Sequence, residues 1–156
     1  MSVKNPKYIT VRALITDSEG KLLTCYYKKY KTYMTPGGHK DGKENDTEVL
    51  TRELYEECGS TSIVIGDYIM SLYTPKDDTL NRYYKVYIDK IDLKHRDLEE
   101  GEISDGLTVV WQDINEILRN NTQEYYKSLV DSSEGESYII KRELEFFKFI
   151  LKENIL

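Results

Sequence analysis

The sequence predicts a mixed α/β fold, and three observations carry the prediction. Hydrophobic residues alternate with period two over the N-terminal third. A helical period of 3.6 replaces it at residues 45–58 and again at about 137–154, with strand-like runs returning between them. Strands interrupted by a central helix and closed by a terminal one imply a sandwich of sheet and helices. The 156 residues fit one domain, 1–156, long enough to build a real core.

The elements follow in order. In KYITVRALIT, Ile9, Val11, Ala13 and Ile15 alternate with Tyr8, Thr10, Arg12, Leu14 and Thr16, which predicts a strand with one firmly apolar face. DSEGK follows, with Gly20 available for a positive φ, and LLTCYY resumes the apolar run, so the pair reads as a hairpin. A short segment around Tyr33 to Thr35 leads into Pro36-Gly37-Gly38, a turn signal. Asn45 or Asp46 can cap a helix, and Asn45 with Glu48 resembles a capping box. Val49, Leu50, Leu54 and Cys58 form one helical stripe that Gly59 stops. Strands return at SIVIGDYIMSLY, at RYYKVYIDKI and at LTVVWQD, and a short helix is expected from about Ile114 to Arg119. Ile140, Leu144, Phe147 and Leu151 give the terminal helix its stripe, which Phe146, Phe149 and Ile150 widen. Packing on the chain's own sheet is the expected use of that face, and a homodimer contact the other.

Composition narrows the function classes. With 39% hydrophobic and 32% charged residues the chain has the balance of a globular protein. No apolar run approaches the ~18 residues that span a bilayer, and the N-terminus lacks the apolar stretch of a secretory signal. Cys25 and Cys58 show no metal or redox spacing, so reduced thiols in a cytoplasmic protein are expected. A net charge of −6 argues against binding polymeric nucleic acid, which needs a basic surface. It does not exclude small anionic substrates, provided divalent cations stand between the acids and the phosphates.

Residues 37–44, GGHKDGKE, come close to a phosphate-binding loop, G-x-x-x-x-G-K-[S/T], but Glu44 stands where the magnesium-ligating hydroxyl should be. The helix that follows explains the acid. Glu53 and Glu57 are spaced i, i+4 and Glu53 and Glu56 i, i+3, so they share one helical face. Like charges so placed repel by about 0.2–0.5 kcal/mol per pair on an exposed helix. A hard divalent cation among them removes that cost, because magnesium and manganese prefer carboxylate oxygens. Arg52 lies within the cluster and can orient a carboxylate through two parallel hydrogen bonds.

Gly38, Glu44, Arg52, Glu53, Leu54, Glu56, Glu57 and Gly59 resemble the signature of the Nudix hydrolases, G-x5-E-x7-R-E-U-x-E-E-x-G-U with U a bulky aliphatic. Only Ser60 departs, replacing the final aliphatic residue. The resemblance implies an α/β/α sandwich with a mixed sheet and a catalytic loop-helix-loop, the signature covering 38–60. It implies cleavage of a diphosphate linkage in a nucleoside diphosphate linked to another group. Mg2+, with Mn2+ able to substitute, would be held by Glu53, Glu56, Glu57 and the Gly37 carbonyl. Arg52 and Glu44 would orient these carboxylates, and the base is either a signature glutamate or a later acid among Glu99, Glu100, Glu102 and Asp105, of which Glu102 is favoured and Asp105 next.

Substrate identity is less legible. Pro75 lies at an offset seen in relatives resembling ADP-ribose pyrophosphatases, while the compact size suits mutator-type enzymes acting on nucleoside triphosphates. Tyrosine is common, at 14 against three phenylalanines; Tyr83 and Tyr87 face opposite to Tyr84, and one of these rows could stack on a base. His39 could touch a phosphate and Arg82 or Arg12 could face an anion, whereas His95 reads as surface. A nucleotide-binding regulatory domain without turnover is the alternative, although such relatives usually lose signature carboxylates and all are intact here.

Overall fold

β1 (Tyr8–Leu14) sits inside a four-stranded sheet with β4 (Gly37–His39) on one side and β6 (Thr79–Ile88) on the other; β5 (Ile63–Thr74) follows at the edge. β1 runs parallel to β6 and antiparallel to β4, and β5 is antiparallel to β6, so the sheet is mixed as expected. The structure, a computed structural model, describes residues 3–94, 96–104, 106–131 and 134–156. Its chain gathers into two compact units interleaved in sequence: Met1–Ile15 with Thr35–Glu100, and Thr16–Met34 with Gly101–Leu156.

In the first unit, β1 departs from simple alternation. Thr10 and Leu14 are buried along with Val11 and Ala13, because β1 is an interior strand. Burying a hydroxyl requires a partner. The Thr10 hydroxyl donates to Asn81 Oδ1 at 2.6 Å, and the Asn81 amide donates to the Leu72 carbonyl at 3.0 Å. These three residues share one register row across β1, β6 and β5. The predicted β1–β2 hairpin is not formed. Its turn exists, with the Asp17 carboxylate accepting the Glu19 and Lys21 N–H groups, but Thr16 and Leu22 make a single bridge. The side of β1 that a hairpin partner would need is taken by the segment entering β4, where Ala13 N–H donates to the Pro36 carbonyl at 2.9 Å.

That segment was expected to be a turn and is a strand. Gly37 has φ 136, and a Cβ there would lie 2.2 Å from the Val11 carbonyl oxygen, so glycine alone lets β4 approach β1. β5 and β6 form a hairpin closed by a 3₁₀ turn at Pro75–Asp77, so Pro75 acts here as a turn former. Register shifts between Ile65 and Met70 bend this long edge strand. α1 (Asp46–Cys58) packs against β1 and β4.

The second unit holds β2 (Leu22–Tyr27), β3 (Thr32–Met34) and β7 (Leu107–Gln112) in an antiparallel sheet ordered β3-β2-β7. The short α2 (Glu100–Ser104) precedes β7, and α3 (Ile114–Val130) and α4 (Glu134–Lys152) follow it. α3 is much longer than the helix expected over 114–119. Its middle, Asn-Asn-Thr-Gln, shows no apolar stripe because its polar side chains serve β3. Asn121 donates to the Tyr33 carbonyl at 2.7 Å and accepts from its N–H at 3.0 Å, and Asn120 donates to the Lys31 carbonyl at 2.9 Å. α4 buries Ile140, Leu144, Phe146, Phe147 and Ile150 and packs on α3 and β3. Among the described residues, no helix is long and apolar enough to cross a membrane.

Gly59 ends α1 at φ 68, where a Cβ would meet the Asp92 carbonyl oxygen at 1.9 Å. Gly59→Ala is expected to cost more than about 2 kcal/mol, the left-handed penalty plus displaced backbone. A urea titration checks this: a lower midpoint at unchanged slope is expected.

Candidate active site

The acidic helix forms where the sequence places it. Asn45 Oδ1 accepts the Glu48 N–H at 2.8 Å and Glu48 Oε1 accepts the Asn45 N–H at 3.2 Å, a complete capping box. Val49, Leu50, Leu54 and Cys58 are wholly buried. Burial pushes the Cys58 thiol pKa up, with Glu57 beside it adding to the effect, so it stays protonated. The carboxylates are not on a solvated face: Glu53 is 7% exposed and Glu57 1%. Packed acids of this kind need compensation.

Arg52 supplies part of it. Its Nε and Nη2 donate to the two oxygens of Glu44 at 2.9 Å each, a bidentate pair. Nη1 donates to Glu53 Oε1 at 3.0 Å and lies 3.6 Å from Glu56 Oε2, and Nη2 also reaches the His39 carbonyl at 2.9 Å. Glu44 takes a further bond from the Asp41 N–H at 2.8 Å. The hydrogen bond from Arg52 holds the Glu44 pKa below its usual value, and the same bond raises that of Arg52. One guanidinium thus faces Glu44, Glu53 and Glu56.

Two glycines complete the geometry. Gly37 N–H donates to Glu57 Oε1 at 2.8 Å, which fixes that carboxylate against β4. A Cβ on Gly38 would fall 2.3 Å from Glu53 Oε1, so the signature glycine is the space that the Glu53 carboxylate occupies. Ser60, the one departure from the signature, is 2% exposed, and its hydroxyl donates to the Lys90 carbonyl at 2.6 Å. A buried polar group is satisfied there, in place of aliphatic packing.

The donor set is all oxygen, the chemistry that magnesium and manganese favour. Glu53, Glu56 and Glu57 are the residues able to hold one. Among the described residues no group of three or more acidic, histidine or cysteine side chains already stands in a metal-holding arrangement. Arg52 draws Glu53 and Glu56 toward its guanidinium, and the Gly37 N–H holds Glu57.

The other predicted residues lie outside the acidic face of α1. Tyr83 is wholly buried, so its ring is not offered to a base; at this position β6 is an interior strand, flanked by Arg12 and Met70. Tyr87, in the same row, is 56% exposed, beyond the end of β1. Arg82 Nη1 contacts both oxygens of Asp46 at 3.0 and 3.2 Å. The Tyr84 hydroxyl donates to the same carboxylate, and burial followed by that bond pushes its pKa up to about 12. His39 sits on β4 with its ring edge-on to Tyr8, centroids 5.9 Å apart. Glu102 lies on α2, half-buried, in the second unit. His95 and Asp105 fall outside the described residues. Sequence reasoning missed the roles of Asp41, Asp46 and Tyr84, although Asp46 at the helix start was a usable signal.

No family model matches the chain, and no curated protein matches it in sequence. Solved structures do match it in fold. A Nudix hydrolase from Nitrosomonas europaea superposes with a TM-score of 0.59 at 20% identity, covering 76% of this chain and 79% of that one. An ADP-ribose pyrophosphatase from Streptococcus suis gives 0.57 at 15% identity, covering 71% and 76%. A MutT protein from Methanosarcina mazei Go1 gives 0.53 at 22% identity, covering 75% and 84%. The fold is that of the Nudix hydrolases, and the signature lies on its loop-helix-loop.

Two measurements probe the cluster. Because its pKa is depressed, Glu44 contributes stability that is full above its ordinary value of 4.5 and is lost as pH falls through the lowered one. Wild type is expected to exceed Glu44→Gln by about 1–3 kcal/mol near neutral pH, with the gap closing below that value; a gap that widens on acidification contradicts the assignment. Gly38→Ala is expected to move the Glu53 carboxylate while costing less than about 1.5 kcal/mol of stability, since the displaced group is a side-chain end. Thermal melting and a crystal structure of the variant check both statements.

Proposed function

We propose that this chain is a metal-dependent pyrophosphohydrolase that cleaves a diphosphate linkage in a small nucleoside diphosphate derivative. One observation carries the reading: Glu53, Glu56 and Glu57 gather on one side of α1, oriented by Arg52, Glu44 and the Gly37 N–H, with every signature position but Ser60 in register. Cys25 and Cys58, both buried and neither in a disulfide, suit a reducing cytoplasm.

A diphosphate resists water because its own charge repels a nucleophile. Divalent cations held by these carboxylates would neutralise the phosphate oxygens, align in-line attack and acidify a water. The chain's residues set the geometry for this. Arg52 holds Glu53 through Nη1, Gly37 keeps Glu57 in place, and the missing Cβ of Gly38 leaves Glu53 its position. Oriented carboxylates are ready to bind and to take a proton without first reorganising, which is where positioned groups gain most of their effect. The Gly37 carbonyl is a further proposed ligand, and Glu102 is the proposed base outside the helix. The substrate is ADP-ribose, for which the similar pyrophosphatase structure is named, or a nucleoside triphosphate, which the compact size suits.

The test is a panel of nucleoside triphosphates, ADP-ribose and dinucleotides with Mg2+, assayed for phosphate released after phosphatase coupling. Wild type is expected to turn over at least one, EDTA to abolish it, and Glu53→Gln and Glu57→Gln each to lower kcat by about 100-fold or more. Glu102→Gln is expected to lower kcat by about 100-fold with KM little changed. Wild-type turnover in both helix variants contradicts the reading. Ligand-induced melting shifts without any turnover assign a nucleotide-binding domain instead.

A further inference from the structure

Asp46 is the first residue of α1, next to the Asn45 cap and two residues after Glu44. Arg82 and Tyr84, which both hold its carboxylate, stand i, i+2 on β6 and therefore on one face of the sheet. The Tyr84 ring is braced edge-on by Tyr68 of β5, with centroids 5.4 Å apart. The Arg82 and Asp46 side chains are 32% and 17% exposed. Ion pairs at such exposure contribute about 0–1 kcal/mol, so net stability does not explain the arrangement. Nor does helix electrostatics. An acid at the N-terminus is already favourable, and a cation beside it opposes the helix dipole.

What the clamp fixes is a position. The C-terminal end of α1 is tied down by Gly59 against Asp92, by the Asp92 N–H donating to the Cys58 carbonyl at 2.8 Å, and by the Glu57–Gly37 bond. The capping box at the other end links Asn45 only to Glu48, within the same segment, and anchors nothing to the sheet. Asp46 ties the first turn to β6 through side-chain hydrogen bonds. A shift of that turn would carry Glu44 with it, then Arg52, then the Glu53 carboxylate that Arg52 orients.

We propose that Arg82 and Tyr84 are positioning residues that act through Asp46, fixing the start of α1 on the sheet and so setting how Arg52 presents Glu53. The assignment rests on the hydrolytic reading of the cluster, and it gives Arg82 a role other than contact with substrate.

A double-mutant cycle on the full chain tests it. Arg82→Gln and Asp46→Asn are each expected to lower kcat by about tenfold or more with KM changed less than about twofold. The double variant is expected to be no slower than the worse single one, since both changes break one linkage. Arg82→Lys is expected to recover part of the loss, and Tyr84→Phe to show a smaller one. A raised KM in Arg82→Gln at unchanged kcat, with effects that multiply in the double variant, assigns Arg82 to the substrate and overturns the proposal. Lost melting temperature with unaltered kcat does so too. Hydrogen exchange at the Val49, Leu50 and Thr51 amides provides a readout free of activity: about tenfold faster exchange in Arg82→Gln is expected, and unchanged protection overturns the clamp even where wild type hydrolyses nothing. Absence of wild-type turnover, by contrast, counts against the hydrolytic reading and not against the clamp.

Discussion

The acidic site depends on one guanidinium. Arg52 spans the loop and the helix, binding Glu44 through two parallel bonds while reaching Glu53 and the His39 carbonyl. Carboxylates crowded this closely on a largely buried face would otherwise repel or protonate. The arginine does more than neutralise, because its planar fork dictates directions and turns a set of flexible acids into an oriented one.

The fold's contribution is close approach. β4 can lie on β1 because Gly37 has no side chain to strike Val11, and the Gly37 N–H is then free to hold Glu57. Gly38 gives its missing Cβ to Glu53, and Gly59 lets the chain turn back past Asp92. Three glycines within 23 residues therefore perform three separate tasks: strand pairing, a carboxylate's seat and a helix stop. None is a generic flexible joint. Gly37 and Gly59 are fitted against backbone, and Gly38 against the Glu53 carboxylate.

Much of this was legible in the sequence because it is local. The capping box, the buried stripe of α1 and the shared face of Glu53, Glu56 and Glu57 depend on residues within four positions of each other. β1, β5 and β6 were visible for the same reason, whereas β4 reads as a turn in the sequence. Pairing was not visible: β1 turns toward β4 and β6 instead of β2, a choice made by the Gly37 contact and the Ala13–Pro36 bond. The full length of α3 was hidden because Asn120 and Asn121 support β3 where a helix would usually show apolar residues. Tyr83 could not be told from an exposed tyrosine without knowing that β6 is interior. The Arg82–Asp46 contact joins residues 36 apart and leaves no periodic trace.

Binding of Mn2+ followed by its electron paramagnetic resonance is the most direct test of whether the cluster on α1 holds a cation. Titration of the wild-type chain is expected to deplete the free-ion signal saturably, and Glu57→Gln to weaken that binding by about tenfold or more. A free-ion signal that rises in step with added Mn2+, or equal depletion by both proteins, would mean that these carboxylates are held for structure and not for metal.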